Sequence, residues 1–445
     1  MASKRAKAAG RRLGAIKTRK TARLRQSKTV ARAPAVPPVS PLAPKSFPVL
    51  PPLAGVRLAS GAAGIRYPGR NDLMMAVLAP GTQVAGVFTK SRTPAAPVEW
   101  CRAQLSRQSA RALVANSGNA NAFTGAAGRE AVRAVAGSAA AILDCQAQEV
   151  FVASTGVIGE PLQTESITRV LGTLAESGAA GGWRDAAEAI MTTDTFPKMA
   201  TARATIDSHR VTINGIAKGS GMIAPDMATL LAFVFTDANL PAPLLQEMLA
   251  ASAKDSFNAI TVDSDTSTND TLLLFATGKG SLHPQISRVG DRRLGDFRQK
   301  LNTVLQELAL QVVRDGEGAQ KLIRVDVSGA ESDESAKRIA LSIANSPLVK
   351  TAIAGGDANW GRVVMAVGKA GEPADRDRLR IAFGGHVMAE GGQRSEKYDE
   401  ASATRAVSGR EVTIEVEMGL ANGRARVWTC DLTEGYIRIN GSYRS

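Results

Sequence analysis

The sequence predicts an α/β (α+β) fold in which layered sheets are covered by helices. Two observations carry this: apolar residues recur at helical spacing in some segments, and they alternate with polar ones in others. Thr164–Gly178 sets Ile167, Val170, Leu171 and Leu174 on one face of a helix. Pro241–Ser256 opens with prolines suited to a first helical turn and buries Leu245, Met248 and Leu249. Asp296–Val313 repeats Phe297, Leu301, Val304, Leu305, Leu308 and Val312 at the same spacing. Among the strands, Val412, Ile414, Val416 and Met418 alternate with Thr413, Glu415 and Glu417. A loop with Asn422-Gly423 then leads into Ala425–Thr429, so the two runs are expected to pair as a hairpin. Leu272–Ala276 and Leu322–Val327 are further strands, and Asp207-Ser-His-Arg210 reads as a hairpin turn.

Before these elements the chain has a different texture. Of its 445 residues, the first 71 carry 16 Lys and Arg and no acid. That leaves 39 basic against 41 acidic side chains in the rest, although the whole chain is +14 at pH 7. The excess charge therefore belongs to a tail and is no argument for a nucleic-acid-binding body. Residues 1–33 hold too little apolar surface to offset the entropy of ordering, and residues 34–52 carry eight Pro. Residues 1–55 are expected to form a disordered basic and Pro-rich extension.

Counts of reactive residue types exclude several chemistries. Three Cys stand far apart, which allows neither a disulfide framework nor a CxxC motif and favours a reduced compartment. Three scattered His give no basis for a His triad or an HExxH zinc site. Aromatics are 4% of the chain, too sparse for base-stacking platforms, and no apolar run approaches a membrane span.

Four Gly- and hydroxyl-rich segments read neither as core nor as ordinary turns. They are Asn116–Gly125 (NSGNANAFTG), Val152–Gly159 (VASTGVIG), Lys218–Thr229 (KGSGMIAPDMAT) and Asp263–Thr271 (DSDTSTNDT). Glycine lets backbone approach a ligand closely, and exposed N–H groups hold anionic oxygens. No GxxxxGK[ST] is present, and DSDTSTNDT lacks the EF-hand spacing. With no His in these segments, a hydroxyl nucleophile would need a Lys or a backbone α-amine as its base. An α-amine titrates near pH ~7.7–8.0, within reach of neutrality. Thr229 stands at the boundary between a Gly/Pro-rich loop and the apolar Leu230–Phe235.

Taken with MTTDTFPK, RDGEGAQK, GDANWGR and the closing NGSYRS, these segments resemble the ornithine acetyltransferase (glutamate N-acetyltransferase) family. The resemblance runs from about Val56 to Ser445. It implies an N-terminal-nucleophile-type self-cleaving acyltransferase of the aminopeptidase/ornithine-acetyltransferase fold. Scission between Ala228 and Thr229 would give an alpha chain (56–228 after the extension) and a beta chain (229–445). Thr229 would then attack N2-acetylornithine, release ornithine and pass the acetyl group to glutamate in a ping-pong sequence. Thr155 and Gly156 would form the oxyanion hole. Thr195, Lys218, Thr229, Glu317, Asn440 and Ser445 match the family's substrate-contacting positions. Lys218 would pair with the substrate α-carboxylate and Glu317 with the δ-ammonium of ornithine.

The same resemblance implies no metal and no bound cofactor, and leaves open acetyl-CoA as a second acetyl donor. It implies an assembly of two alpha and two beta chains, small amino-acid substrates, no nucleic acid and no membrane. The expected location is the cytoplasm, with the mitochondrial matrix as the alternative if the basic tail is a transit peptide. The sequence departs from the family pattern at Phe123, Ala224, Asp226, Ser264 and Ser445. A Thr-nucleophile aminopeptidase or amidohydrolase that uses water as acceptor is the rival enzyme reading, and a basic-tail nucleic-acid-binding protein is the non-enzyme rival.

Overall fold

Leu231–Thr236 reads LAFVFT, an apolar run without alternation, and every residue of it is buried. Such a strand must be covered on both faces, and in the computed structural model of the chain it is. Leu231, Phe233 and Phe235 enter one core, and Ala232 and Val234 enter another. The structure describes residues 38–66, 68–224 and 230–442. The basic segment 1–33, the expected scission point at Ala228 and Thr229, and Ser445 lie outside the described residues.

Within the unit Val39–Ser445, two sheets stack face to face. One has four strands in the order Val56–Gly61, Leu73–Leu78, Ala112–Asn119, Val150–Val157. The other has five, in the order Gln83–Phe88, Thr271–Ala276, Leu231–Thr236, His209–Lys218, Lys198–Ile206. Between them Phe275 stacks on Phe235 at 5.2 Å and meets Phe151 edge-on at 6.0 Å. Helices Gly125–Leu143 and Thr164–Ser177 cover the outer face of the first sheet. Helices Ala242–Asp255 and Gly295–Arg314 cover that of the second. The layers therefore run helix, sheet, sheet, helix, as the three predicted amphipathic helices require. A third, six-stranded sheet packs helices Asp333–Ala344, Pro347–Ala354 and Trp360–Gly368 on one face.

The turn at Asp207-Ser208 is a two-residue hairpin loop with both residues at positive φ, and Ile206 pairs with His209. The expected hairpin between Val412–Met418 and Ala425–Thr429 does not form. Leu322–Ala330 lies between them, parallel to Glu411–Glu417 and antiparallel to Gly423–Cys430. Alternation specifies which face is buried but not which strand is the neighbour, and all three strands feed one core.

The extension also ends earlier than composition suggests. From Val39 the chain lies on the body: Leu50 and Leu53 are buried, and the Pro51 carbonyl accepts from Trp183 Nε1 and Asn214 Nδ2. Prolines cannot donate, but their carbonyls accept, so a Pro-rich stretch docks through side-chain donors on the body.

Candidate active site

One end of the sandwich gathers the strand ends that the Gly- and hydroxyl-rich segments follow. Lys218, Leu231 and Thr271 stand in register across three neighbouring strands. Opposite them, the parallel strands Ala112–Asn119 and Val150–Val157 end with a register shift at Gly118 and Asn119. Gly156 there has φ +131°, and a Cβ would stand 2.4 Å from the Gly118 carbonyl carbon. Only glycine fits, and its close approach fixes where Thr155 points. Asn269 ties the two sheets together by donating from Nδ2 to the carbonyls of Ala120 and Ser154, at 2.6 and 2.8 Å.

A cleft of about 170 Å³ opens here, lined by Thr155, Gly156, Thr192, Thr193, Lys218, Ser267, Asn269, Glu317 and Asn440, together with Ala120, Ile158, Gly221 and Met222. Lys218 is 4% exposed and donates from Nζ to Thr155 Oγ1 at 3.2 Å. Burial pulls its pKa down from the ordinary lysine value. Because the Thr155 oxygen accepts from Lys218, its own O–H proton points elsewhere.

Behind Lys218 lies a fully buried ion network. Lys198 Nζ reaches Asp194 Oδ1 at 2.7 Å and Asp315 Oδ2 at 2.6 Å, and all three side chains are 0% exposed. Asp194 also accepts the Gly219 and Thr192 amides and stands 4.0 Å from Lys218 Nζ. Burial works against its charge, but the two lysines outweigh that and hold Asp194 well below the usual carboxylate range. Asp315, which shares only Lys198 and faces Asp194, is raised by burial.

Glu317 accepts from Asn440 Nδ2 at 2.7 Å, and burial raises its pKa. Asn440 comes from the C-terminal helix Glu434–Ser442, which the Tyr436 hydroxyl ties to Asp263 at 3.3 Å. Gly318 lets that helix seat: it has φ +78°, and a Cβ would meet the Tyr436 amide nitrogen at 2.4 Å. Gly318→Ala is expected to unseat the helix, seen as faster amide hydrogen exchange in residues 434–442 than in the parent.

The chain on either side of residues 225–229 is anchored by carboxylates. Met222 and Ile223 donate their amides to Asp263 at 2.6 and 2.8 Å, and Leu230 donates to Asp270 at 3.0 Å. Burial pushes Asp270 well above the ordinary carboxylate range.

Of the expected site residues within the described chain, Thr155, Gly156, Lys218, Glu317 and Asn440 meet in this cleft. Thr195 does not. Its hydroxyl donates to Asp315 and accepts the Ser40 amide, and it lines a separate groove with Phe47 and Arg70. Thr192 and Thr193 of the same TTDT run line the cleft instead, with Thr193 Oγ1 2.7 Å from Ser220 Oγ. Ser267 and Asn269 lie in DSDTSTNDT, a segment the sequence singled out without assigning its residues. No His or Cys is among the lining residues, and burial pushes the Cys101 thiol up to about 12. The set can hold a zwitterion and place donors around a reacting carbonyl.

The family model described as the ArgJ family matches residues 57–445. The chain is 59% identical over 409 residues to the arginine biosynthesis bifunctional protein ArgJ of Bradyrhizobium diazoefficiens, covering 92% of this chain and 99% of that protein. It is 60% identical over 413 residues to the protein of the same name from Nitrobacter winogradskyi, again covering 92% and 99%. The crystal structure of arginine biosynthesis bifunctional protein argJ from Bacillus halodurans shares 39% identity, covering 46% of this chain and 96% of that one, with a TM-score of 0.45. With the family model spanning all but the N-terminal segment, and most of its residues shared with two proteins over almost their full length, the chain belongs to the ArgJ family.

Proposed function

We propose that the protein moves the acetyl group of N2-acetyl-L-ornithine to L-glutamate through an acetyl-threonine intermediate, giving L-ornithine and N-acetyl-L-glutamate for arginine biosynthesis. The cleft carries this reading. It combines one buried ammonium, Lys218, and one buried carboxyl, Glu317, with threonine hydroxyls and amides. A zwitterionic amino acid with an acylated amine matches that set.

In this reading the chain cuts itself between Ala228 and Thr229, and the new α-amine takes the proton from the Thr229 hydroxyl as it attacks the acetyl carbonyl. The Thr155 O–H and the Gly156 N–H receive the negative charge that develops on the carbonyl oxygen. Lys218 supports this by occupying an acceptor site on Thr155 Oγ1. Collapse of the tetrahedral intermediate passes the proton held by the Thr229 α-amine to the leaving nitrogen, expels the α-amine of ornithine and leaves the acetyl group on Thr229. The α-amine of glutamate then attacks that ester, and the same donors stabilise the second intermediate. No step calls for a metal or bound cofactor, and acetyl-CoA as an alternative donor would enter at the first half-reaction only. Cleavage gives alpha and beta chains, two of each in the proposed assembly. The proposed location is the cytoplasm, and among the described residues no helix is long and apolar enough to cross a membrane.

Thr155→Val keeps the shape of the side chain and removes the hydroxyl. Loss of one oxyanion donor is expected to lower kcat about 10²–10³-fold with a smaller change in KM, read from steady-state rates of N-acetylglutamate formation. The reading as a whole is tested by incubating the protein with N2-acetylornithine, with and without glutamate. Transfer predicts ornithine in an amount matching the enzyme when glutamate is absent, and turnover only when it is present. Steady acetate release that ignores glutamate would instead favour a hydrolase.

A further inference from the structure

Ornithine and glutamate present opposite charges at the ends of their side chains, and the proposed function brings both to one cleft. Building on that function, we infer that Glu317 changes protonation state between the two half-reactions. It is ionised against the δ-ammonium of ornithine and neutral, as a hydrogen-bond donor, against the γ-carboxylate of glutamate.

The surroundings of Glu317 suit either form. Asn440 donates from Nδ2 to Glu317 Oε2 at 2.7 Å and to the Tyr436 carbonyl at 3.1 Å, and a protonated Glu317 can still accept at Oε2 while it donates from Oε1. Oε2 therefore keeps its Asn440 bond in either state, and Oε1 can carry the proton. Thr193 lines the cleft with Glu317, and its Oγ1 stands 2.7 Å from Ser220 Oγ, where either hydroxyl can donate to the other. The charged and titratable groups that face Glu317 are Lys218 from the end of its strand, Asp263 beside the Met222 loop, and Tyr436 from the C-terminal helix. Lys218 favours the ionised form, and Asp263 opposes it. The Lys218 ammonium is meanwhile directed to Thr155 and lies near Asp194. Burial is the largest influence and raises the Glu317 pKa, bringing the neutral form closer to working pH. The proton is taken from water with glutamate and returned when N-acetylglutamate leaves, so the overall reaction is unchanged.

The sign of the pH effect follows. As pH falls through the Glu317 pKa, the ionised form is lost, and the KM for N2-acetylornithine rises. As pH increases through it, the neutral form is lost, and the KM for glutamate rises.

Partial exchange reactions separate the two halves. Wild-type protein should exchange label between ornithine and N2-acetylornithine without glutamate, and between glutamate and N-acetylglutamate without ornithine. Glu317→Gln is neutral and can donate, so it imitates only the second state. It should lower the ornithine exchange about 100-fold or more and keep the glutamate exchange within about 5-fold. An equal fall in both exchanges, or selective loss of the glutamate exchange, would overturn the inference. Wild-type protein that catalyses neither exchange would overturn the proposed function itself. Should the variant fail to fold, the wild-type pH profiles decide: opposite movements of the two KM values support the switch, and parallel movements sink it.

Discussion

Thr229→Ala is expected to abolish two events at once, leaving one uncut chain with no measurable transferase activity. The same hydroxyl is assigned to both. In the proposed precursor reaction it attacks the Ala228 carbonyl, the C–N bond breaks to free the α-amine and leave an ester, and water then cleaves the ester to release the hydroxyl and the first chain. In the proposed mature enzyme it would attack the substrate's acetyl group, with that amine as base. Alanine supplies no nucleophile for either step, and losing a member of such a unit costs on the order of 10⁴–10⁶ in rate. Folding should be spared, because the flanking anchors use backbone amides: Met222 and Ile223 on Asp263, and Leu230 on Asp270. The expected result is one band on a denaturing gel, with a circular dichroism spectrum matching that of the wild type. Thr229→Ser should retain both events at reduced rates, because it keeps the hydroxyl.

Lys198→Met is expected to destabilise the fold more than any single change to the cleft lining. Lys198 Nζ lies between Asp194 and Asp315 at 2.7 and 2.6 Å, with the Phe196 carbonyl at 3.2 Å and the Phe196 ring centroid at 4.8 Å. Methionine fills similar space but leaves two carboxylates buried without their shared counter-charge, a loss of about 3–5 kcal/mol. Denaturant unfolding at neutral pH reads this directly. The deficit should shrink in acid. Lys198 lowers the pKa of both carboxyls, so removing it raises both, and the stability lost while they are ionised is restored as they protonate. Lys218, 4.0 Å from Asp194, would then be drawn toward the unpaired carboxylate and away from Thr155. Any variant that folds should therefore also lose kcat.

Much of this architecture was legible because it follows from periodicity. Ile167, Val170, Leu171 and Leu174 marked the inner face of their helix, and all are buried except Val170, which is partly buried. Leu322–Val327 and Leu272–Ala276 were visible as strands and lie within Leu322–Ala330 and Thr271–Ala276. Strand order was not legible, because Val412, Ile414 and Val416 meet the same core whichever neighbour they pair with. The packing of residues 39–55 was hidden for a related reason. Proline content reports what those residues cannot donate, whereas their attachment depends on donors more than a hundred residues away, Trp183 and Asn214.

The site divides in the same way. The segments that carry Gly156 and Lys218 stood out as glycine-rich runs, and the family resemblance named those residues within them. The TTDT run did not reveal which hydroxyl faces the cleft. Bends on either side of Asp194 send Thr193 inward and Thr195 back to Asp315, and Asp315 lies 120 residues farther along the chain than Thr195. Asp194 and Lys198, four residues apart, were not singled out by any feature of the sequence. Their complete burial depends on Asp315 and on the Gly219 amide, which only the fold brings to them.

Intact-mass spectrometry of purified wild-type protein, before and after addition of N2-acetylornithine alone, tests the central claim most directly. The account predicts two polypeptides, the second beginning at Thr229 and ending at Ser445. On incubation this second chain should gain one acetyl group, and glutamate should remove it. A single uncut chain with full transferase activity, or an acetyl group carried on the first polypeptide, would contradict it.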